Sequence, residues 1–296
     1  MSLPNFVIAG TARSGTTSLY YYLKQHPDIG FPKQKEPKYF SSIGLTFPHA
    51  GPGDRNVDKL MVRDFDSYQK LFDGLEGKVR IGEASSDYLY HHAHSAAELR
   101  RVLGDVQIIL CLRNPVDRAY SAYQNLLRDQ RETLPFAEAL AAEDQRMAAN
   151  WDWMWAYRQG GLYADQVETF MRTFSKVKVV LFEDLEKDPQ AIVRELFEFL
   201  CVTRDVPVDT STRYSHSGKA RNRLVAFLSN RDNAVAFALR RLALKLLPRS
   251  ILERIASRSL EKEDMDAGVR GELRRYFRDD ITRLENLLGR SLAVWK

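Results

Sequence analysis

Short apolar runs separated by longer stretches of helical period dominate the chain, an alternation that predicts βα units around a mostly parallel sheet. Phe6 to Ala9 reads as a buried first strand. Leu19 to Leu23, behind Thr16 and Thr17, reads as the first helix, ended by His26-Pro27 because a proline pushes the residue before it out of helical backbone. Val79 to Gly82 predicts a short strand, and Val106 to Leu112 (VQIILCL) an uninterrupted apolar one. Pro115 then stands where the first position of a helix accepts proline. Val177 to Phe182 predicts a further strand, and Asp188-Pro189 opens a helix through Leu200. Apolar residues at 273, 277, 281, 284, 287 and 288 keep a helical period near the C-terminus. Residues 44 to 63 contain Gly and Pro without a period and are expected to form a surface loop. With no repeat and no linker, residues 1–296 are expected to form one α/β domain.

Composition narrows the class. A chain of 296 residues can bury about three quarters of its unfolded surface, so it needs no disulfide framework. Hydrophobic residues at 44% and charged residues at 28% exclude a disordered chain. A net charge of +5 is too small for a nucleic-acid stripe but suits an anionic ligand. The two cysteines, Cys111 in an apolar run and Cys201 after a helix, are expected as reduced thiols of a cytoplasmic protein. The first residues lack the flank and apolar stretch of a signal peptide, and no uncharged run approaches the roughly 20 residues of a membrane span.

The most informative stretch is Gly10-Thr11-Ala12-Arg13-Ser14-Gly15-Thr16-Thr17-Ser18, between a predicted strand and a predicted helix. There a glycine-flanked turn aims backbone N–H groups and the helix dipole at an anion, and Thr16, Thr17 and Ser18 add hydroxyls. An ordinary βα turn with a threonine cap has the same composition. Gly10 and Gly15 keep the spacing of the kinase loop G-x-x-x-x-G-K-[ST], but Thr16 replaces the lysine that reaches the outer phosphates. Phosphoryl transfer is therefore disfavoured, and the absence of G-x-G-x-x-G disfavours a dinucleotide. The cation sits in the turn instead, as Arg13, facing the end of a phosphate chain where a leaving group develops charge.

The segment from Gly10 to Pro27 resembles the 5′-phosphosulfate-binding loop of sulfotransferases that use 3′-phosphoadenosine 5′-phosphosulfate (PAPS), of the bacterial and heparan-sulfate type. The resemblance implies donor contacts from Arg13, Ser14, Gly15, Thr16, Thr17 and Ser18. Many members carry lysine at the position of Arg13 and the tyrosylprotein branch carries arginine, which keeps the charge but does not readily give up a proton. A second stretch, Leu112-Arg113-Asn114-Pro115-Val116-Asp117-Arg118-Ala119-Tyr120-Ser121, is similar to the family's 3′-phosphate motif, which implies that Arg113 and Ser121 hold that phosphate. Arg118 reads as a helix-surface or ion-paired residue. A third, Tyr214 to Arg221, resembles the late nucleotide-closing loop, with Gly218, Lys219 and Arg221 as phosphate contacts. Gly161-Leu162-Tyr163 and Phe182-Glu183-Asp184-Leu185 match family patterns and read as architectural. The likeness runs nearly to Leu292–Trp295 and implies a single-domain α/β fold with a P-loop-like central parallel sheet flanked by helices.

The implied reaction moves a sulfonyl group to a hydroxyl or amine of a carbohydrate or small-molecule acceptor, which needs in-line placement, a base and a stabilised leaving oxygen. Lys35-Glu36-Pro37-Lys38-Tyr39-Phe40 resembles the heparan-type string whose glutamate takes the acceptor proton, which implies Glu36 as base. Lys35 and Lys38 would lower its pKa. The rival is Glu83, at the end of the next strand. The heparan branch has a lysine near there, and Ala84 in its place leaves the sulfonyl group one cation short. His91, His92 and His94 have no cysteine or carboxylate ligands nearby, so no metal is expected. Trp151-Asp152-Trp153-Met154-Trp155 could stack on an acceptor ring or pack a core or lid. Leu224 to Leu247, with Arg231, Arg240, Arg241 and Lys245, reads as a solvated basic helix face, with membrane-surface contact as the alternative. The competing functions are a nucleoside or small-molecule kinase and a nucleotide-binding module without catalysis.

Overall fold

The computed structural model describes residues 2–212, 214, 219–220, 260–261 and 264–296. Its core is a five-stranded parallel sheet in the order β2-β3-β1-β4-β5, flanked by helices. The strands are β1 Phe6–Gly10, β2 Ile29–Gly30, β3 Arg80–Ala84, β4 Gln107–Leu112 and β5 Val177–Leu181. β1, β3, β4 and β5 match the predicted apolar runs to within a residue or two, whereas the two-residue β2 had no predicted counterpart. β6 Lys219–Ala220 and β7 Leu260–Glu261 form a separate antiparallel pair.

β1 lies at the centre, with Phe6 opposite Gly82 of β3 on one side and Gln107 of β4 on the other. Its side chains alternate, so Val7 and Ala9 enter one core while Phe6 and Ile8 enter the other. β4 does the same, with Ile108, Leu110 and Leu112 on the first face and Ile109 and Cys111 on the second. Burial on both faces explains why these strands read as unbroken apolar runs rather than alternating ones. Helices Pro115–Arg128, Tyr163–Thr173 and Ala267–Leu288 cover the first face, and Thr16–Leu23 and Pro189–Phe199 the second. In the C-terminal helix Leu273, Phe277, Ile281 and Leu284 are buried, as their period predicts. After β1 the chain builds β2 and β3 on one side, then crosses to β4 and β5 on the other. Such a reversal opens a crevice at the carboxyl ends of the central strands.

Residues 44–63 depart from the expected surface loop. They contain a helix, Asp54–Asp58, and Asp54 is fully buried. Its carboxylate accepts from the N–H of Gly51 (2.9 Å), the N–H of Asp152 (2.9 Å) and the indole of Trp155 (3.0 Å), and pairs with Arg131. One buried acid, not an apolar stripe, anchors this segment, so hydrophobic periodicity carried no sign of it. Among the described residues no helix is long and apolar enough to cross a membrane. The segment 224–247 lies outside them.

Removing Asp54 would strand the buried Arg131 guanidinium. Asp54→Ala should therefore destabilise the protein by about 3–5 kcal/mol in urea unfolding. Truncating the exposed Lys178–Glu195 pair (2.8 Å) should cost less than about 1 kcal/mol. Similar losses from both changes would refute the anchoring role.

Candidate active site

The segments that follow all five strands meet at the carboxyl edge of the sheet. The turn after β1 is tied to β4 by Thr11, whose N–H donates to the Cys111 carbonyl (2.8 Å). It ends at Gly15, which caps the first helix at φ 87°. A Cβ there would meet Leu185 at 2.8 Å, so the position needs glycine for space as well as backbone. Arg13 holds φ 71° without being glycine, and so do Glu36 (61°) and Lys38 (58°). L-residues adopt this region at a cost of order 1–3 kcal/mol, and such residues cluster at functional sites.

Arg13 reaches back over the helix Pro115–Arg128. Its Nε donates to Ser121 Oγ (3.0 Å) and its Nη1 to Asn125 Oδ1 (3.3 Å). Arg113, just past β4, donates from Nη1 to the Arg13 carbonyl (3.2 Å) and lies over the Phe182 ring, 4.7 Å from its centre. The segments read as architectural hold this pair in place. Tyr163 Oη donates to the Arg113 carbonyl (3.0 Å), and Glu183 accepts from the Asn114 N–H (2.9 Å). Burial, with the nearby cations Arg128 and Arg113, pushes the Arg13 guanidinium down to about 9. It stays charged at neutral pH in a concentrated positive potential.

Two clefts open from this point. The first, about 480 Å³, is lined by Arg13, Gly15, Thr16, Thr17, Ser18, Arg113, Ser121 and Tyr214. The second, about 520 Å³, is lined by Lys35, Glu36, Lys38, Ser86, Trp153 and Met154, again with Arg13, Thr16 and Thr17. These last three form the wall between them. Ser14 lines neither; it is buried, and its hydroxyl has no partner among the described residues. Gly218 and Arg221 lie outside the described residues, and Lys219 is described only as backbone, in β6.

Glu36 faces the second cleft. One carboxylate oxygen accepts from Lys35 (2.5 Å) and the other from the N–H (2.8 Å) and hydroxyl (3.1 Å) of Ser86. Burial works to raise its pKa, but Lys35, Lys38 and the Ser86 N–H outweigh it, and the carboxyl stays below its ordinary value. Glu83 is different. It is fully buried, accepts from Ser85 Oγ (2.6 Å) and Tyr68 Oη (3.3 Å), and is pushed up to about 8 by desolvation. It lines neither cleft. The structure divides the Trp151–Trp155 cluster and changes the reading of Arg118. Trp153 and Met154 line the second cleft, whereas Trp155 belongs to the core. Arg118 is not on the surface, and among the described residues it is not ion-paired: only 2% of it is exposed, and it donates to backbone carbonyls. Its burial follows from its place on the helix, which a reading based on residue type did not capture. Among the described residues no group of three or more His, Cys, Asp or Glu could hold a metal ion.

Comparison with known proteins gives a consistent relationship. The sequence model described as the Sulfotransferase family matches residues 4–205. The membrane-associated sulfotransferase kil1 of Dictyostelium discoideum is 36% identical over 123 residues, 42% of this chain and 23% of that protein. Heparan sulfate glucosamine 3-O-sulfotransferase 3A1 of Mus musculus is 29% identical over 204 residues, 68% of this chain and 47% of that protein. The chain thus spans less than half the length of either relative. The crystal structure of a sulfotransferase from Alicyclobacillus acidocaldarius superposes with a TM-score of 0.80 at 36% identity, covering 100% of this chain and 99% of that one.

The buried Glu83 predicts a pH effect on stability. Its carboxyl keeps a proton up to about pH 8 when folded but only to about 4.5 when unfolded. Its contribution is therefore complete below about pH 4.5 and is lost as the pH rises toward 8. Urea midpoints of Glu83→Gln should fall less between about pH 5 and pH 8 than those of the unsubstituted protein. Parallel pH profiles would show that Glu83 is ionised in the fold.

Proposed function

The chain belongs to the sulfotransferase family and is an enzyme, and on that premise we propose that it transfers a sulfonyl group from PAPS to a hydroxyl or amine of a carbohydrate or small molecule. The observation that carries this reading is the shared wall of Arg13, Thr16 and Thr17 between two clefts. A donor in one cleft and an acceptor in the other would meet there in line, which is the positional requirement of direct transfer. We take residues 1–296 as one domain acting in the cytoplasm.

In this reading the nucleotide occupies the first cleft. Arg113 and Ser121 hold the 3′-phosphate; among the described residues no carboxylate pairs with Arg113, which leaves its charge for a ligand. Backbone N–H groups from Ser14 to Thr17 and the hydroxyls of Thr16, Thr17 and Ser18 surround the 5′-phosphosulfate. Gly218, Lys219 and Arg221 close over it. No metal is required. PAPS supplies the sulfonyl group on a phosphosulfate anhydride. The acceptor oxygen or nitrogen forms a bond to sulfur as the bond from sulfur to the 5′-phosphate oxygen breaks, and that oxygen takes the electron pair. Arg13 neutralises the charge developing on it. Glu36, ionised at neutral pH, takes the acceptor's proton from the other side.

Two measurements test this reading. Arg113→Ala should weaken adenosine 3′,5′-bisphosphate about ten- to a hundredfold, the scale of a charge-assisted contact, and leave adenosine 5′-monophosphate nearly unchanged. Equal losses for the two nucleotides would remove the 3′-phosphate assignment. Glu36→Gln should lower kcat on a panel of hydroxyl and amine acceptors by about a hundredfold or more while bisphosphate affinity holds. Near-normal turnover in that variant beside a dead Glu83→Gln would transfer the base to Glu83.

A further inference from the structure

The helix Pro115–Arg128 turns one face to each cleft. Asp117, Tyr120, Ser121 and Gln124 line the first, and Arg118, Ala122 and Asn125 line the second. Of these, Arg118 is a buried cation held by backbone carbonyls rather than by a carboxylate. It is 2% exposed. Its Nη2 donates to the carbonyls of Ala156 (3.0 Å) and Tyr157 (3.1 Å), and its Nε is buried with no partner among the described residues. Among the described residues no carboxylate pairs with it. Glu143, whose charge reaches it, is engaged by the N–H groups of Arg158 (2.8 Å) and Gln159 (2.9 Å).

A buried guanidinium without a counter-ion is expensive, and proteins retain such a group mainly where something compensates it. The fold also makes room for this one. A Cβ at residue 160 would collide with Nη2, so Gly160 is what allows Arg118 to sit there. The cleft around it is cationic as well. Arg13, Lys35, Lys38 and Lys59 line it with one acid, Glu36, which is already bonded to Lys35 and Ser86.

We infer that Arg118 forms an anion subsite in the second cleft that takes a sulfate-type oxygen. The oxygen has two possible sources: the sulfonyl group in flight, or an acidic substituent of the acceptor itself. In the first case Arg118 supplies, from the acceptor side, the cation missing at Ala84. In the second it selects acidic acceptors. The inference rests on the second cleft being the acceptor side, as proposed above.

The test titrates inorganic sulfate into protein saturated with adenosine 3′,5′-bisphosphate, followed by calorimetry and by the fluorescence of Trp153. The unsubstituted complex should bind sulfate, and Arg118→Gln should bind it at least about tenfold more weakly with bisphosphate affinity unchanged. Gly160→Ala, which crowds the guanidinium without removing its charge, should weaken sulfate in the same direction and serves if Arg118→Gln does not fold. Comparing PAPS with the bisphosphate separates the sources. A preference for PAPS that falls about tenfold in the variant identifies the sulfonyl group, and an unchanged preference identifies the acceptor. An unsubstituted complex that ignores sulfate, or variants that bind it normally, would overturn the subsite. Failure of the bisphosphate itself to bind would count against the proposed function instead.

Discussion

The bond from Arg13 Nε to Ser121 Oγ fixes the geometry on which the rest of the site depends. It joins the turn after β1 to the helix after β4, and Arg113 closes the triangle on the Arg13 carbonyl. Adjacent parallel strands already bring those two loops together, but the sheet alone would leave the turn free to swing. Cross-bracing by charged groups costs desolvation, visible in the lowered pKa of Arg13. A site that collects positive potential in this way favours an anion over a cation.

The same sheet edge carries two glutamates with opposite electrostatics. Glu36 keeps its charge because two lysines and a backbone N–H face it, whereas Glu83 is neutralised by an apolar and phenolic surround. The Glu36 N–H donates to the Ala84 carbonyl (2.9 Å), so the two carboxyls belong to adjoining segments of backbone. Their division into a charged group at the cleft and a proton-bearing group in the core follows from environment alone. It is the physical ground for preferring Glu36 wherever a base is required.

Much of this was legible in the sequence, for identifiable reasons. Strands buried on both faces announce themselves as apolar runs, so β1 and β4 were found nearly to the residue; the edge strand β5, only partly buried over Val177–Val179, was found as well. The phosphate-type turn is a local object, readable from Gly10, Arg13 and Gly15 in order. Side-chain direction was not readable. Ser14 and Arg118 are polar types in motif positions, yet the hydroxyl of one is buried with no partner among the described residues, and the guanidinium of the other is buried against the Ala156 and Tyr157 carbonyls. Asp54 was missed because a single buried acid with partners about a hundred residues away, at Asp152 and Trp155, leaves no periodic trace.

The two-faced helix has a consequence for how this chain can vary in length. Each residue advances an α-helix by about 100°, so one inserted or deleted residue between Asn114 and Ser121 would rotate everything beyond it by that angle. Ser121 would leave the first cleft and Asn125 the second, and Arg13 would lose both acceptors at once. Substitutions on this helix act on one cleft at a time; a change in its length would act on both. Surface turns elsewhere can gain or lose residues at small cost, but here the spacing between strand end and serine is itself a functional dimension of the protein.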